Sequence, residues 1–330
     1  MTALAFIVLL YFIGGISVSG FASPHALMQM LKFATYIALF ALCQLLVACT
    51  GGDIDLSVGY VATLVAVLSA QILKGSNAQL WKAVLIAIAI GGVVGLINGL
   101  LVSYAKLPSL VVTMGMTSVV QGIVNVYSSK YGVTGAPAPI LATIANGKVG
   151  IVPNIIWLLL VVIVIATVIL QMTKIGVKLK SIGSNELAAF RCGLNVKVIR
   201  TCAFVASGVI AGLIGLLLLG NLGQAFKDMG SSYVMPSIAA VVVGGVSLKG
   251  GEANYINVAL GAMVFTDFDE SVCCVWLGRC RKMDRYRYYF VTHVDFVRER
   301  ESQQIERKTR LWRCQYEIRF FKFNRTGVKF

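Results

Sequence analysis

Two acids stand in an otherwise apolar stretch, in the run Gly51-Gly52-Asp53-Ile54-Asp55-Leu56-Ser57-Val58-Gly59. A carboxylate between apolar helices is costly and generally functional, so the pair has three open roles. Asp55 can cap the following helix by accepting from the amides of Ser57 or Val58. Either acid can contact a solute or a gate, or both can lie in a solvated loop. As a proton or sodium site, Asp53 or Asp55 would make the chain a stand-alone ion-coupled carrier. Asn98, in Gly95-Leu96-Ile97-Asn98-Gly99-Leu100-Leu101-Val102, needs a partner on another helix. Gly95, Gly99 and Gly115 permit close backbone approach, which fits tight packing or the lining of a path.

A third constellation is basic. Thr173–Thr201 holds Lys174, Lys178, Lys180, Arg191, Lys197 and Arg200 against one acid, Glu186. Within it, Gly183 to Leu194 reads as a short helix. Ser184 or Asn185 can cap its first amides, Glu186 suits the positive end of its dipole, and Gly193 stops it. Leu187, Phe190 and Leu194 would share one face. That face would meet either a soluble partner or lipid headgroups. Signals of catalysis are missing: there is no phosphate-loop pattern, and His25 and His293 stand alone without paired carboxylates or a nucleophile. The chain therefore reads as no enzyme and without cofactor, and uphill transport would draw its energy from a partner or an ion.

The elements that must position these residues are membrane helices. Charged residues are 13% of the chain, against about 25% in ordinary soluble domains. The net charge of +15 is divided unevenly: residues 1–266 hold 14 Lys/Arg and 5 Asp/Glu, and residues 267–330 hold 15 and 9. Basic residues then mark cytoplasmic loops and not nucleic-acid binding. A span needs about 20 apolar residues, and candidate segments fall at Thr2–Val18, Phe33–Cys49, Tyr60–Leu73, Ala83–Tyr104, Ser109–Tyr127, Ile151–Met172 and Cys202–Leu219. Val234–Val246 and Tyr255–Phe265 are too short to cross singly and suggest a broken helix lining a cavity. The short third segment, paired with this late one, hints at two related halves. The expected fold is all-α and polytopic, with about eight to ten spanning or half-spanning helices. The basic loop at 173–201 should be cytoplasmic, and counting back places the N-terminus on the same side. Of the eight cysteines, Cys43, Cys49 and Cys202 read as small buried hydrophobes. No zinc spacing joins Cys273, Cys274, Cys280 and Cys314.

Taken together, these runs resemble the membrane subunit of ribose-type monosaccharide importers of the ATP-binding-cassette class. The resemblance covers about Thr50 to Thr266. Gly51–Gly59 is similar to the family run G-G-I-D-L-S-V-G, with Asp53 as an added acid to which no family role is carried. Gly95–Val102 with Pro108–Gly115, Gly183–Leu194, and Ile238–Gly251 match three further family motifs. Glu252-Ala253 departs from the small or Gly-rich continuation usual there. The resemblance implies a pathway formed with a second permease subunit, ATPase subunits docking from the cytoplasm, and an extracytoplasmic solute-binding protein, in a bacterial inner membrane. It assigns Gly183, Asn185, Glu186, Leu187, Ala188, Ala189, Phe190 and Gly193 to coupling with the ATPase. Asp55, Ser57, Asn98, Thr113 and Ser247 become the expected path or gate residues. Lipid is an implied partner and nucleic acid is not.

The permease domain is expected over residues 1–266, followed by an aberrant tail over 267–330. The tail is too charged to span, at roughly 2.5–3.5 kcal/mol per central charge. A reading-frame shift explains it. Moved forward by one base over Gly278–Val291, the codons of Met283-Asp284 must give Trp, and the others permit V-G-A-G-K-W-I-G-I-G-I-I-L, a glycine-spaced apolar helix. The alternatives are a genuine basic extension on anionic lipid and a scaffold whose basic tail is the active part.

Overall fold

The computed structural model describes residues 24–132, 135–247, 250–251 and 254–277. The expected first span at Thr2–Val18, the pairs Leu248-Lys249 and Glu252-Ala253, and the tail from residue 278 lie outside the described residues.

The chain opens with α1 (Pro24–Ala48) and, after the Gly51–Ser57 loop, the short α2 (Val58–Leu73). A hairpin of long helices follows, α3 (Leu80–Ser103) and α4 (Ser109–Tyr131). A short helix absent from the sequence-based expectation, α5 (Pro139–Asn146), has proline in its first turn, where a missing amide is harmless. Two-residue strands, β1 (Lys148–Val149) and β2 (Val152–Pro153), pair antiparallel and delay the next helix, α6 (Asn154–Thr167), beyond the expected Ile151. A π-helical turn at Val168–Met172 ends α6, and the Thr173 hydroxyl caps α7 (Lys174–Ser184) by accepting from Ile175 N. Then come α8 (Glu186–Arg191), α9 (Val196–Leu222), α10 (Val234–Val243) and α11 (Tyr255–Leu277).

By length and composition, five described helices can cross a membrane: Ala26–Ala48, Asn77–Ser103, Ser109–Tyr131, Asn154–Met172 and Val196–Leu222. Val58–Leu73, Ser231–Val243 and Tyr255–Phe268 are shorter apolar helices. The fold is thus an all-α, polytopic membrane bundle with broken helices, as its hydropathy implies. α9 begins six residues before the expected Cys202 because the Asn195 side chain caps it, accepting from Val198 N. Lys197 tolerates this by lying over the Tyr104 ring, 5.3 Å from its centroid, a charged head at the helix end above an apolar stem. Cys43 and Cys49 are buried, but Cys202 is exposed, contrary to its expected burial, because it points off the outer side of α9.

Glycine sets how α3 and α9 cross. Gly91 and Gly208 meet backbone to backbone, Gly95 lies on the Phe204 carbonyl, and Gly212 lies on the Ala87 backbone. A Cβ on Gly99 would stand 2.8 Å from Thr201 Cα. Such contact maximises dispersion between helices where no hydrophobic effect drives them together. The Thr201 hydroxyl adds a bond to Gly99 O at 3.2 Å.

α9 also meets α2, where Gly215 packs on the Ala62 backbone. Gly230 N donates to Thr63 Oγ1 at 3.0 Å, and Gly230 abuts Gly59. Gly215 lies seven residues inside the end of α9 at Leu222, so the segment at 223–230 turns back into the bundle by about 10 Å. Tyr233 anchors this return, with ring centroids 5.5 Å from Phe33, 6.0 Å from Tyr36 and 5.6 Å from Phe40. At the same end of α9, the Asn146 side chain of α5 donates to Gly220 O and Asn221 O and accepts from Lys32.

Candidate functional site

Three glycine-bearing segments converge at the Glu186 end of the bundle. The Gly51–Ser57 loop, the end of α7 and the turn at Gly250-Gly251 touch largely through backbone, with the Ser184 side chain against Gly251. Gly183 lies against Cys49 O and Gly251 N, Gly250 lies on Gly51, and Gly251 N donates to Cys49 O at 3.3 Å. Gly52, Gly250 and Gly251 have φ of +79°, +86° and +93°, which favour glycine. Side chains at these positions would separate the segments or strain the backbone.

α8 projects from this junction. Asn185 caps it, its Oδ1 accepting from Ala188 N at 2.9 Å, and Gly193 at φ +81° reverses the chain after it. Ala189 turns inward onto Ile182 and Val196. Ala188 is exposed, and Leu187 and Phe190 are bare to 61% and 68%. Leu194 does not complete their face, because the Gly193 reversal packs it against the Ile182 cluster. Beside them runs a groove lined by Glu186, Leu187, Phe190, Asn195, Val196 and Lys197. A six-residue helix that leaves two large apolar side chains uncovered suits insertion into a partner.

Arg200 joins α8 to the Gly51–Ser57 loop. Its Nη2 donates to Glu186 Oε2 at 3.2 Å and to Thr50 O at 3.0 Å. Its Nε stands 3.3 Å from Asp53 Oδ2. That contact brings opposite charges together without hydrogen-bond alignment, so Nε and Oδ2 stay buried and unaligned. Burial pushes the Asp53 carboxyl above its ordinary range, and Arg200 and Ser109 oppose the rise without cancelling it.

Deeper in, Asp55 is 1% exposed and enclosed by polar partners. Gln44 on α1 holds both of its backbone groups: Asp55 N donates to Oε1 at 3.1 Å, and Nε2 donates to Asp55 O at 2.6 Å. Asp55 Oδ1 accepts from Ser57 N at 2.9 Å and from Ser57 Oγ at 2.6 Å. Ser57 Oγ accepts from Asn98 Nδ2 at 3.0 Å. Next to this chain, Thr113 Oγ1 donates to Ile54 O at 3.2 Å, and Ile54 N donates to Ser109 Oγ at 3.3 Å. The structure thus brings Asp55, Ser57 and Asn98 into one buried network with Thr113 alongside. Ser247 opens the turn in which Gly250 N donates to Ser247 O at 3.0 Å.

Gln44, Ser109 and the bridging position of Arg200 escaped the sequence reading. An amide inside an apolar run was the available signal for Gln44. For Asp228, whose carboxylate accepts from the Tyr60 hydroxyl, the signal was a lone acid in a glycine-flanked gap between apolar segments.

Comparison with known proteins places this geometry in a lineage. The family model for the branched-chain amino acid transport system / permease component matches residues 26–275. The ribose import permease protein of Haemophilus influenzae is 31% identical over 247 residues, 74% of this chain and 76% of that protein. The autoinducer 2 import system permease protein of Shigella flexneri is 30% identical over 269 residues, covering 82% of this chain and 78% of its own. The ribose import permease protein of Escherichia coli K12 is 30% identical over 264 residues, 79% and 81% of the two chains. No solved structure matches.

Proposed function

The chain belongs to the branched-chain amino acid transport system / permease component family, and on that footing we propose that it forms the membrane pathway for a monosaccharide or related polyol in an ATP-binding-cassette importer. It is a multi-pass membrane permease. The sugar is inferred from the ribose permeases among its relatives. The observation that carries the partner reading is α8, with Leu187 and Phe190 uncovered at the glycine junction. Gly183, Asn185, Glu186, Ala188, Ala189 and Gly193 build, cap and seat that knob for an ATPase subunit on the cytoplasmic side. An extracytoplasmic solute-binding protein and a second permease subunit complete the assembly in a bacterial inner membrane, and hydrolysis belongs to the ATPase chain. In this reading Asp55, Ser57, Asn98 and Thr113 act as a latch that fixes the start of α2 beside the path, and Ser247 shapes the turn against the coupling loop. Both acids of the ion-coupled alternative are committed to the protein, Asp53 to Arg200 and Asp55 to Ser57.

The test is co-expression with the ATPase and binding-protein genes of the same locus. Ribose uptake and co-purification of the ATPase are expected, with both lost in Phe190→Asp while the permease still inserts. Transport that persists without any ATPase would sink this reading. The basic segment after the family match, which ends at residue 275, is part of the same proposal as a product of shifted reading. Sequencing the DNA checks it, and lack of an apolar, tryptophan-bearing helix in the neighbouring frame refutes it.

A further inference from the structure

We infer that Tyr60 and Asp228 form a contact site for sugar hydroxyls on the wall of the translocation path, an assignment that rests on the transport function proposed above. The Tyr60 hydroxyl donates to Asp228 Oδ1 at 2.8 Å. Asp228 sits on the segment at 223–230 that turns back into the bundle. Its depth is fixed by neighbours: Gly230 N is held by Thr63 Oγ1, Gly230 abuts Gly59, and Tyr233 is buried among Phe33, Tyr36 and Phe40. These anchors lie inside the end of α9. Yet the Asp228 side chain is exposed and Tyr60 is half-buried. Ser232 and Met235 on the following turns are also exposed.

A carboxylate at that depth does not face hydrocarbon. Irregular backbone at membrane depth is tolerated only where it is buried in protein or lines a water-filled cavity; Ala225, Met229 and Gly230 are buried, whereas Gly223, Gln224 and Asp228 are left exposed. The contrast with α4 and α6 is sharp, since their exposed faces present Val111, Val119, Val126, Val161 and Val164, side chains suited to lipid. The edge at Tyr60 and Asp228 therefore faces water.

Its chemistry suits a neutral polyol. An ionised carboxylate accepts through about four lone-pair sites, and the Tyr60 hydroxyl occupies one. The rest can receive neighbouring hydroxyls of a sugar. The Tyr60 ring offers apolar surface to its C–H face. One carboxylate and one ring make a weak site, as passage requires, because a solute in transit must leave as readily as it enters.

Two measurements test this. With the native cysteines replaced by serine, Asp228→Cys and Ser232→Cys should react with a membrane-impermeant methanethiosulfonate, whereas Val126→Cys and Val164→Cys should not. Equal failure of all four to react would overturn the aqueous assignment. In cells carrying the ATPase and binding protein, Asp228→Leu should lower the initial rate of ribose uptake by about tenfold through lost hydrogen bonds. Asp228→Asn should fall between, with ATP hydrolysis by the purified complex within about twofold of wild type. Wild-type uptake by Asp228→Leu would overturn the sugar contact. A wild-type assembly that moves no pentose or hexose would count against the proposed transport function instead, and thiol labelling would then decide the site alone.

Discussion

Arg200 and Asp53 illustrate how two residues in contact can carry opposite consequences for stability. Arg200 serves Glu186, Thr50 and Asp53 together. Arg200→Ala leaves Asp53 buried without its counter-charge and should cost about 3 kcal/mol, within the range for breaking a buried pair. Asp53→Asn removes a carboxyl already strained by burial and should leave the melting temperature in detergent nearly unchanged at neutral pH. The sign with pH follows from the raised Asp53 value. In the unfolded chain the carboxyl ionises near pH 3.9, and the folded carboxyl lags behind. Wild type should therefore lose stability relative to Asp53→Asn as pH rises above about 4. Melting scans of both proteins against pH check this, and a wild type that gains stability relative to Asp53→Asn as pH rises would refute it. Gln44→Ala should cost about 1–3 kcal/mol, since it strands the buried backbone groups of Asp55. Circular-dichroism melting measures that loss.

Among elements, the α3–α9 contact and the outer face of α4 give glycine two meanings. A side chain on Gly208 would strike the Gly91 backbone, whereas a Cβ added at Gly115 or Gly122 on α4 would meet nothing within 4 Å. Gly208→Val should thus abolish monodisperse protein in size-exclusion chromatography, and Gly122→Val should preserve it. The sequence announced glycines in both helices but not which were in contact, because packing partners are not a local property. α8 was readable because its devices are local: Asn185 bonds three residues ahead, and Gly193 supplies the left-handed stop. Long apolar runs likewise announced the spans. α5 and the inward turn at 223–230 were not readable, since Asn146 bonds 74 residues away at Gly220 and Gly230 bonds 167 residues away at Thr63. The expected path residues were recognised as polar groups among apolar ones, yet their enclosure by Gln44 depends on how α1 meets the loop.

For the whole molecule, the α3–α9 seam governs what an importer built on this chain can do mechanically. Backbones that touch with no side chains between them have no lubricating layer, so the two helices form one strut that cannot slide. A stroke received at α8, as proposed above, would then swivel that strut as a single beam. Spin labels on α3 and α9 should report one distance with and without nucleotide, and a change in that distance would refute the strut.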